Sequence, residues 1–183
     1  GRPSPLVGDF DTPARRQRIQ ALLAGKPRWT AEDMAGLQGD VVSVYAREVV
    51  ALSAGPHAGA AGQAYAALSA WDGRMGDKGV PTLYAAYERH LLTAIFEDEI
   101  ELDRVSGPVR RTWLLRMLRG EMDPGWFDDR RTPEREDRAA IIDRALAEAW
   151  EEGVARWGEA VAEWPYADQH RLDDRQRDRQ RER

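Results

Sequence analysis

Apolar residues recur every three or four positions along most of the chain, and polar residues fill the positions between them. This spacing is typical of amphipathic helices, whereas almost no segment alternates with the two-residue period of a strand. The pattern therefore predicts an all-α fold, an irregular bundle of about six helices with short strands at most at its two ends. Breaks at glycine and proline place the helices at about 13–24, 31–54, 59–71 and 81–100, then one from Pro108 and a long one after Thr132-Pro133.

The first two predicted helices carry clear start signals. Thr12-Pro13 supplies an N-cap and a first-turn proline, and Thr30-Ala-Glu-Asp33 is a capping box. We expect the first helix to bury three apolar residues, which are Ile19, Leu22 and Leu23. The second is expected to run unbroken to Gly55-Pro56, because its apolar residues share one helical stripe: Met34, Leu37, Val41, Val44, Tyr45 and Leu52.

Two later helices also carry apolar residues at helical spacing, which we expect to face the core. On the helix at about 81–100 they are Tyr84, Tyr87, Leu91 and Ile95. On the last long helix the stripe is Ile142, Leu146, Trp150, Gly153, Trp157 and Val161.

Composition divides the chain into three parts. Residues 1–12 include Pro3, Pro5, Gly8 and acidic residues and are predicted to be an extended lead-in. Residues 13–170 are predicted to form one helical domain. Residues 171–183 consist almost entirely of Arg, Asp, Gln and Glu, which cannot build a core, so they are predicted to be a solvated or disordered tail.

Charge and cysteine content exclude several classes of function. The net charge of the 183 residues is -5, which argues against a nucleic-acid partner. The chain has no cysteine, so thiol catalysis, disulfides and cysteine-ligated metals are excluded. No apolar run reaches the roughly 18 residues of a membrane span, and no signal-peptide pattern opens the sequence.

Candidate catalytic groups are sparse. His57, His90 and His170 lie in separate elements; His57 follows a helix stop and is expected to be exposed, and His90 is expected on a helix surface. The acidic cluster at 97–101 favours a solvated face over a cation site, because one short stretch cannot surround an ion. The sequence therefore predicts no catalytic residue and no metal site within this chain.

Three arginines at the start of the first helix break a local rule. Arg15, Arg16 and Arg18 place positive charge where the helix dipole favours acids. Such a conflict marks either a functional site or a salt-bridged surface, and the residues alone leave both interpretations open.

Several short motifs, taken in order, resemble the penicillin acylase family of N-terminal-nucleophile hydrolases. The resemblance covers about residues 1–171, and each motif is weak alone. The motifs are Gly8-Asp-Phe-Asp11, Lys26-Pro-Arg-Trp-Thr-Ala-Glu-Asp-Met34, Trp71-Asp-Gly-Arg-Met75, Trp126-Phe-Asp-Asp129 before a Thr-Pro pair, and Trp164 followed by His170-Arg171.

The resemblance implies a fold context and a chemistry. In that family an N-terminal serine, freed by autocatalytic cleavage, attacks a linear amide, and the substrates include β-lactam antibiotics and acyl-homoserine lactones. The matched region would be the helical part of a larger αββα enzyme. The serine would lie far upstream and the oxyanion asparagine just before Gly1. Arg15, four residues before Ile19, matches an arginine directed into the active site, and we expect it to support that site.

The resemblance also implies a location and a possible ion. It suggests a periplasmic or extracellular enzyme. No cofactor is predicted; calcium binds some relatives, but their aspartate ligand has no match here. The chain also departs from the family after Leu172, where an apolar strand is replaced by the polar tail.

Two functional hypotheses follow. The first is the helical fragment of an acylase-like amidohydrolase, inactive alone because the nucleophile is absent; the second is a free-standing helical protein-interaction module derived from such an enzyme. The partner of this chain would be the nucleophile-bearing remainder of the acylase or a second copy of the chain. Either partner would contact an exposed apolar patch. That patch is expected to include some of Trp29, Trp126, Trp157 and Trp164.

Overall fold

A computed structural model describes residues 12–166, and within this range the protein is helical. It contains seven α-helices and three short 3-10 helices, at Leu102–Arg104, Pro124–Phe127 and Val161–Glu163. The α-helices are α1 (Ala14–Ala24), α2 (Ala31–Gln38), α3 (Val44–Leu52), α4 (Gly59–Ser69), α5 (Val80–Phe96), α6 (Gly107–Leu118) and α7 (Arg138–Trp157). The only extended pairing among these residues is two isolated antiparallel bridges, Val42 with Arg74 and Lys78 with Pro165. The predicted all-α class is confirmed.

The core lies around α5, which packs against α7, and α7 in turn packs against α4. Glycine and proline start α5 at Val80–Pro81, and its predicted core residues Tyr84, Tyr87, Leu91 and Ile95 are all buried. They recur at intervals of three and four residues, so they form one face of the helix. On α7 the predicted stripe is buried at Ile142, Leu146 and Gly153.

The last described residues close the bundle. Trp164 is completely buried and packs between Trp150 and Trp157, with ring centroids 5.9 and 5.8 Å away. Its backbone carbonyl accepts hydrogen bonds from the Gly79 amide (2.7 Å) and the Thr82 hydroxyl (3.2 Å). The segment after α7 is thereby fixed to the start of α5.

The Trp71-Asp72-Gly73 motif forms a turn. The Trp71 indole donates to the Arg74 carbonyl (3.0 Å), and the Asp72 carboxylate accepts from the Arg74 amide (2.9 Å). Gly73 has φ of 81°, and a β-carbon there would lie 2.5 Å from the Arg47 side chain. Only glycine fits this close approach without a shift of Arg47, which explains the residue's place in the motif.

The second predicted helix is two helices, and this raises the number from about six to seven. The capping box at Thr30 and Asp33 starts α2 as predicted, but α2 ends at Gly39. Residues 40–43 then pair with the turn at 71–75. The Ser43 backbone amide donates to the Gly73 carbonyl (2.8 Å), and the Met75 amide donates to the Val41 carbonyl (3.0 Å). This long-range pairing replaces the helical hydrogen bonds that the apolar stripe predicted.

Two further details of the prediction are wrong. None of the α1 residues is buried: Ile19 and Leu22 are half-buried and Leu23 is 39% exposed. The long helix α7 starts after an Asp137 N-cap rather than after Thr132-Pro133. The Thr132 hydroxyl instead donates to the Asp129 carbonyl (2.9 Å), within a turn that precedes the helix.

The predicted boundaries at 12/13 and 170/171 stay predictions, because nearly all of the lead-in and the whole tail lie outside the described residues. Between Thr12 and Tyr166, no helix has both the length and the apolar composition that a membrane crossing needs.

Candidate functional site

A pocket of about 290 Å³ opens beside the first turn of α1. It is bounded by α1, by the residues that lead into α3, and by one face each of α5 and α6. The lining combines apolar side chains with two arginines, two tyrosines and a glutamate. The lining residues are Thr12, Ala14, Arg15, Val42, Ser43, Val44, Tyr45, Met75, Tyr84, Glu88 and Arg111.

Local sequence explains how the polar side chains reach this pocket. Ser43 caps α3 by accepting from the Ala46 amide (3.1 Å), which places Tyr45 in the first turn of that helix. Tyr84 and Glu88 are four residues apart on α5, so they occupy the same face of the helix. Helix packing then brings α3 and α5 side chains together at the base of the pocket.

Tyr45 and Glu88 form the central polar contact. The Tyr45 hydroxyl donates to Oε1 of Glu88 at 2.6 Å. Burial raises the pKa of Glu88 above its usual range, although the hydrogen bond from Tyr45 and the charge of Arg111 act in the opposite direction. Burial also raises the pKa of the Tyr45 hydroxyl, which therefore stays protonated and able to donate.

The Tyr84 hydroxyl lies near this pair and is not satisfied. Tyr84 is 3% exposed, and its ring packs against Trp71 at 5.6 Å between centroids. Its hydroxyl is buried beside the Tyr45 hydroxyl, whose proton goes to Glu88, and it makes no hydrogen bond of good geometry among residues 12–166. Leaving a buried hydroxyl unpaired costs about 1–3 kcal/mol, and a ligand that reaches it with an acceptor oxygen would recover that cost.

Arg15 stands at the mouth of the pocket. Its Nη1 donates to the Asp40 carbonyl at 2.9 Å, and about half of the side chain (55%) is exposed. Arg18 holds the Asp40 carboxylate through two hydrogen bonds, of 3.0 and 2.8 Å, and these bonds lower the pKa of Asp40. The cations that oppose the α1 dipole are thus partly accounted for by Asp40, and Arg15 in addition faces the pocket.

The structure therefore places Arg15 together with Tyr45, Tyr84, Glu88 and Arg111, none of which the sequence singled out for a site. A signal for them was present. Glu88 lies on the same apolar face of α5 as Tyr84 and Leu91, and a carboxylate on a core-facing stripe needs a partner or a function.

Three carboxylates of the acidic cluster at 97–101 form ion pairs with arginines. Glu97 pairs with Arg131 (3.2 Å) and Glu99 with Arg130 (2.6 Å), while Glu101 pairs with Arg104. Over residues 12–166 no group of three or more His, Cys, Asp or Glu side chains has a geometry that could hold a metal ion. The cluster is thus accounted for by charge pairing.

His57 and His90 contact carboxylates away from the pocket. The prediction that His57 is exposed is wrong: its side chain is 7% exposed, and its nitrogens contact Asp143 Oδ1 and the Ser53 carbonyl, both at 2.8 Å. His90 lies at the α5–α7 contact, with Nδ1 3.1 Å from Glu148 and Nε2 2.8 Å from Glu152. His170 lies outside the described residues.

Comparison with known proteins identifies a matching protein family and several similar proteins. Residues 1–180 match the profile of the family described as Penicillin amidase. Similar curated proteins are named acyl-homoserine lactone acylase QuiP. The protein from Pseudomonas putida is 29% identical over 185 residues, covering 86% of this chain and 22% of the relative. The proteins from Pseudomonas fluorescens and Pseudomonas aeruginosa are each 26% identical, covering 92% and 93% of this chain. The chain spans less than a quarter of the length of these relatives, at 22–24%.

Proposed function

We propose, because this chain belongs to the penicillin amidase family, that it is the helical part of an acylase that hydrolyses linear amide bonds. The substrates in this proposal are acyl amides, of which acyl-homoserine lactones are the first to test. The observation that carries the proposal is the family match over residues 1–180, together with similar proteins named acyl-homoserine lactone acylases.

The proposal assigns the covalent chemistry to another part of the enzyme. The similar acylases are more than four times as long as the region matched here, which leaves room for a separate nucleophile-bearing core. This chain would contribute the pocket at Arg15. In an amide hydrolysis negative charge develops on the carbonyl oxygen, and a guanidinium at the pocket mouth would favour that charge directly or by ordering a neighbouring donor.

The proposed partner is the remainder of the acylase, and the surface that best suits it is the α1–α2 segment, residues 14–41. Neither α1 nor α2 contains a buried residue. Leu23, Met34 and Val41 are the large apolar residues of the described chain that are most exposed, at 39%, 40% and 42%. Helices that have no buried residue and expose apolar side chains are typical of a surface that packs against another domain.

This surface differs from the patch that the sequence predicted. Trp164 cannot belong to it, because this residue is completely buried between Trp150 and Trp157. Trp29, Trp126 and Trp157 are half-buried. Trp126 and Trp157 pack against the core, which removes most of their surface from solvent.

The test of the proposal is amide hydrolysis by the complete polypeptide. The gene product at its natural length should release decanoic acid and homoserine lactone from decanoyl-homoserine lactone, followed by liquid chromatography. This chain alone should release neither. The matched control replaces the serine that N-terminal sequencing finds exposed after processing, and it should be inactive.

Either of two results would overturn the proposal. One is hydrolysis by the isolated chain, which would place a nucleophile within it. The other is a complete polypeptide that cleaves no acyl amide from a panel that includes decanoyl-homoserine lactone and penicillin G. The second result, with this chain still folding cooperatively, would favour the protein-interaction module.

A further inference from the structure

The polar side chains at the base of the pocket beside Arg15 indicate which ligand group the pocket suits. Three groups meet there: the buried Tyr84 hydroxyl, which makes no hydrogen bond of good geometry to a described residue, the Glu88 carboxyl, and the Tyr45 hydroxyl that donates to it. Because the Tyr84 hydroxyl can donate, the pocket suits a ligand group that carries an acceptor oxygen.

Size and polarity restrict which part of a substrate fits. A volume of about 290 Å³ accommodates a small ring with its carbonyl oxygen. A long acyl chain at the same place would cover the Tyr84 hydroxyl without giving it a hydrogen bond. A ligand with an acceptor oxygen gains a hydrogen bond from Tyr84 and an acyl chain does not, so the pocket favours the polar end of a substrate.

We propose that Tyr84 is a specificity-determining residue that donates a hydrogen bond to an acceptor oxygen on the polar, non-acyl end of the substrate, such as a lactone carbonyl. This inference rests on the proposed amide hydrolysis. Tyr45 and Glu88 are positioning residues, because their 2.6 Å hydrogen bond fixes the polar base beside Tyr84. The Trp71 ring, 5.6 Å from the Tyr84 ring, limits rotation of the tyrosine.

Two substrates with one acyl chain test this assignment. Decanoyl-homoserine lactone carries a lactone carbonyl on its leaving group, whereas the leaving group of decanoyl anilide has no acceptor oxygen. In the complete acylase, Tyr84→Phe removes only the hydroxyl. It should lower kcat/KM for the lactone about tenfold, mainly through KM, and leave kcat/KM for the anilide within about twofold.

Tyr87→Phe is the matched control. Tyr87 is equally buried and lies three residues along α5, where its hydroxyl contacts the Ser53 hydroxyl at 2.6 Å outside the pocket. This variant should treat the two substrates alike. An equal loss on both substrates for Tyr84→Phe, or a change in acyl-length preference, would overturn the assignment.

Binding to this chain alone separates the two proposals. Acetyl-homoserine lactone, whose acyl group is minimal, should shift the NMR signals of residues around Tyr84, and Tyr84→Phe should abolish those shifts. Shifts without any hydrolysis by the complete polypeptide would reject the acylase proposal and keep the pocket assignment. Hydrolysis with no Tyr84-dependent shifts and no substrate discrimination would reject the pocket assignment and keep the acylase.

Discussion

Gly153 lies directly beneath the indole of Trp164. A β-carbon at Gly153 would be 2.0 Å from Cη2 and 2.1 Å from Cζ3 of that ring. Both residues are buried, and the indole nitrogen is tied to the Gly158 carbonyl at 2.8 Å. The glycine therefore allows the chain after α7 to fold back onto the helix, which brings the Trp164 carbonyl to Gly79 and Thr82.

We expect Gly153→Ala to destabilise the protein by about 1–3 kcal/mol, because the new methyl group forces the Trp164 ring to move. The loss should appear in urea unfolding, and the tryptophan emission should shift to longer wavelength as Trp164 leaves its site. Gly36→Ala is the control: this glycine also lies within a helix, but nothing is within 4 Å of a β-carbon there. It should leave stability unchanged or raise it by up to about 1 kcal/mol.

The packing of Trp164 on α7 would be contradicted by two results together. Gly153→Ala would lower the free energy of unfolding by no more than a typical surface substitution does, and the tryptophan emission would be unchanged.

Gly153 also illustrates what the sequence could predict. Its place on the apolar stripe with Ile142 and Leu146 predicted that this side of α7 faces the core, and it does. The sequence did not reveal that Trp164 fills the space, because helical periodicity describes one element and carries no information on contacts 11 residues away. For the same reason the break after Gly39 was missed, since the turn at Gly73 causes it.

The candidate site, likewise, could be predicted from the sequence only in part. Its first member, Arg15, was predicted from a resemblance and from its conflict with the helix dipole. Tyr45, Glu88 and Arg111 come from three helices that are far apart in sequence, so only the packing of α3, α5 and α6 brings them together. Capping boxes and stripes are local signals, whereas this pocket is made by tertiary contacts.

Asp129 should make stability depend on pH in the acid range. Its carboxylate is 4% exposed and accepts from Arg131 Nε (2.8 Å) and from Arg144 Nη2 (2.8 Å). The hydrogen bonds from Arg131, joined by that from Arg144, lower the pKa of Asp129 to about 2, against an ordinary value of 3.8. Because the folded-state pKa is the lower one, the stabilisation is complete above about pH 4 and is lost as the pH falls toward 2.

Comparison with Asp129→Asn isolates this contribution from other carboxylates. Urea unfolding between pH 7 and pH 2.5 should show the wild type more stable at neutral pH, with a pH-dependent part of about 2 kcal/mol. The difference between the two proteins should shrink steadily below about pH 4. A difference that stays constant down to pH 2.5 would show that Asp129 keeps its ordinary pKa in the folded protein.

If the proposed amide hydrolysis is correct, Arg15 should matter for catalysis by the complete polypeptide. It should matter little for stability, because about half of its side chain is in solvent. We expect Arg15→Ala to lower kcat/KM by about tenfold or more, since it removes a charged donor at the pocket mouth. Arg15→Lys should recover part of the loss, because it keeps the charge but not the planar fork. Arg16→Ala, at an exposed neighbour outside the pocket lining, should have full activity.

If Arg15→Ala and Arg16→Ala lose activity equally, the effect belongs to the charge of the α1 surface as a whole, and the specific role of Arg15 is wrong. Melting temperatures of all three variants, measured on this chain, would show whether any loss comes from unfolding.

The α1–α2 segment should be the region whose protection changes most between this chain and the complete polypeptide. Neither helix has a buried residue, and the segment is held by polar contacts that are partly exposed, such as Arg18 with Asp40 and Lys26 with Asp33. Such contacts contribute little to stability, so amide hydrogens in α1 and α2 should exchange much faster than those of α5 in this chain.

If the remainder of the proposed acylase covers Leu23, Met34 and Val41, exchange in the α1–α2 segment should slow by about tenfold or more, while α5 changes little. Met34→Asp should weaken that protection, whereas Gln63→Asp, at an exposed position of α4, should not. Protection that instead develops on α4 or on the outer face of α6 would show that the remainder of the enzyme packs against a different surface.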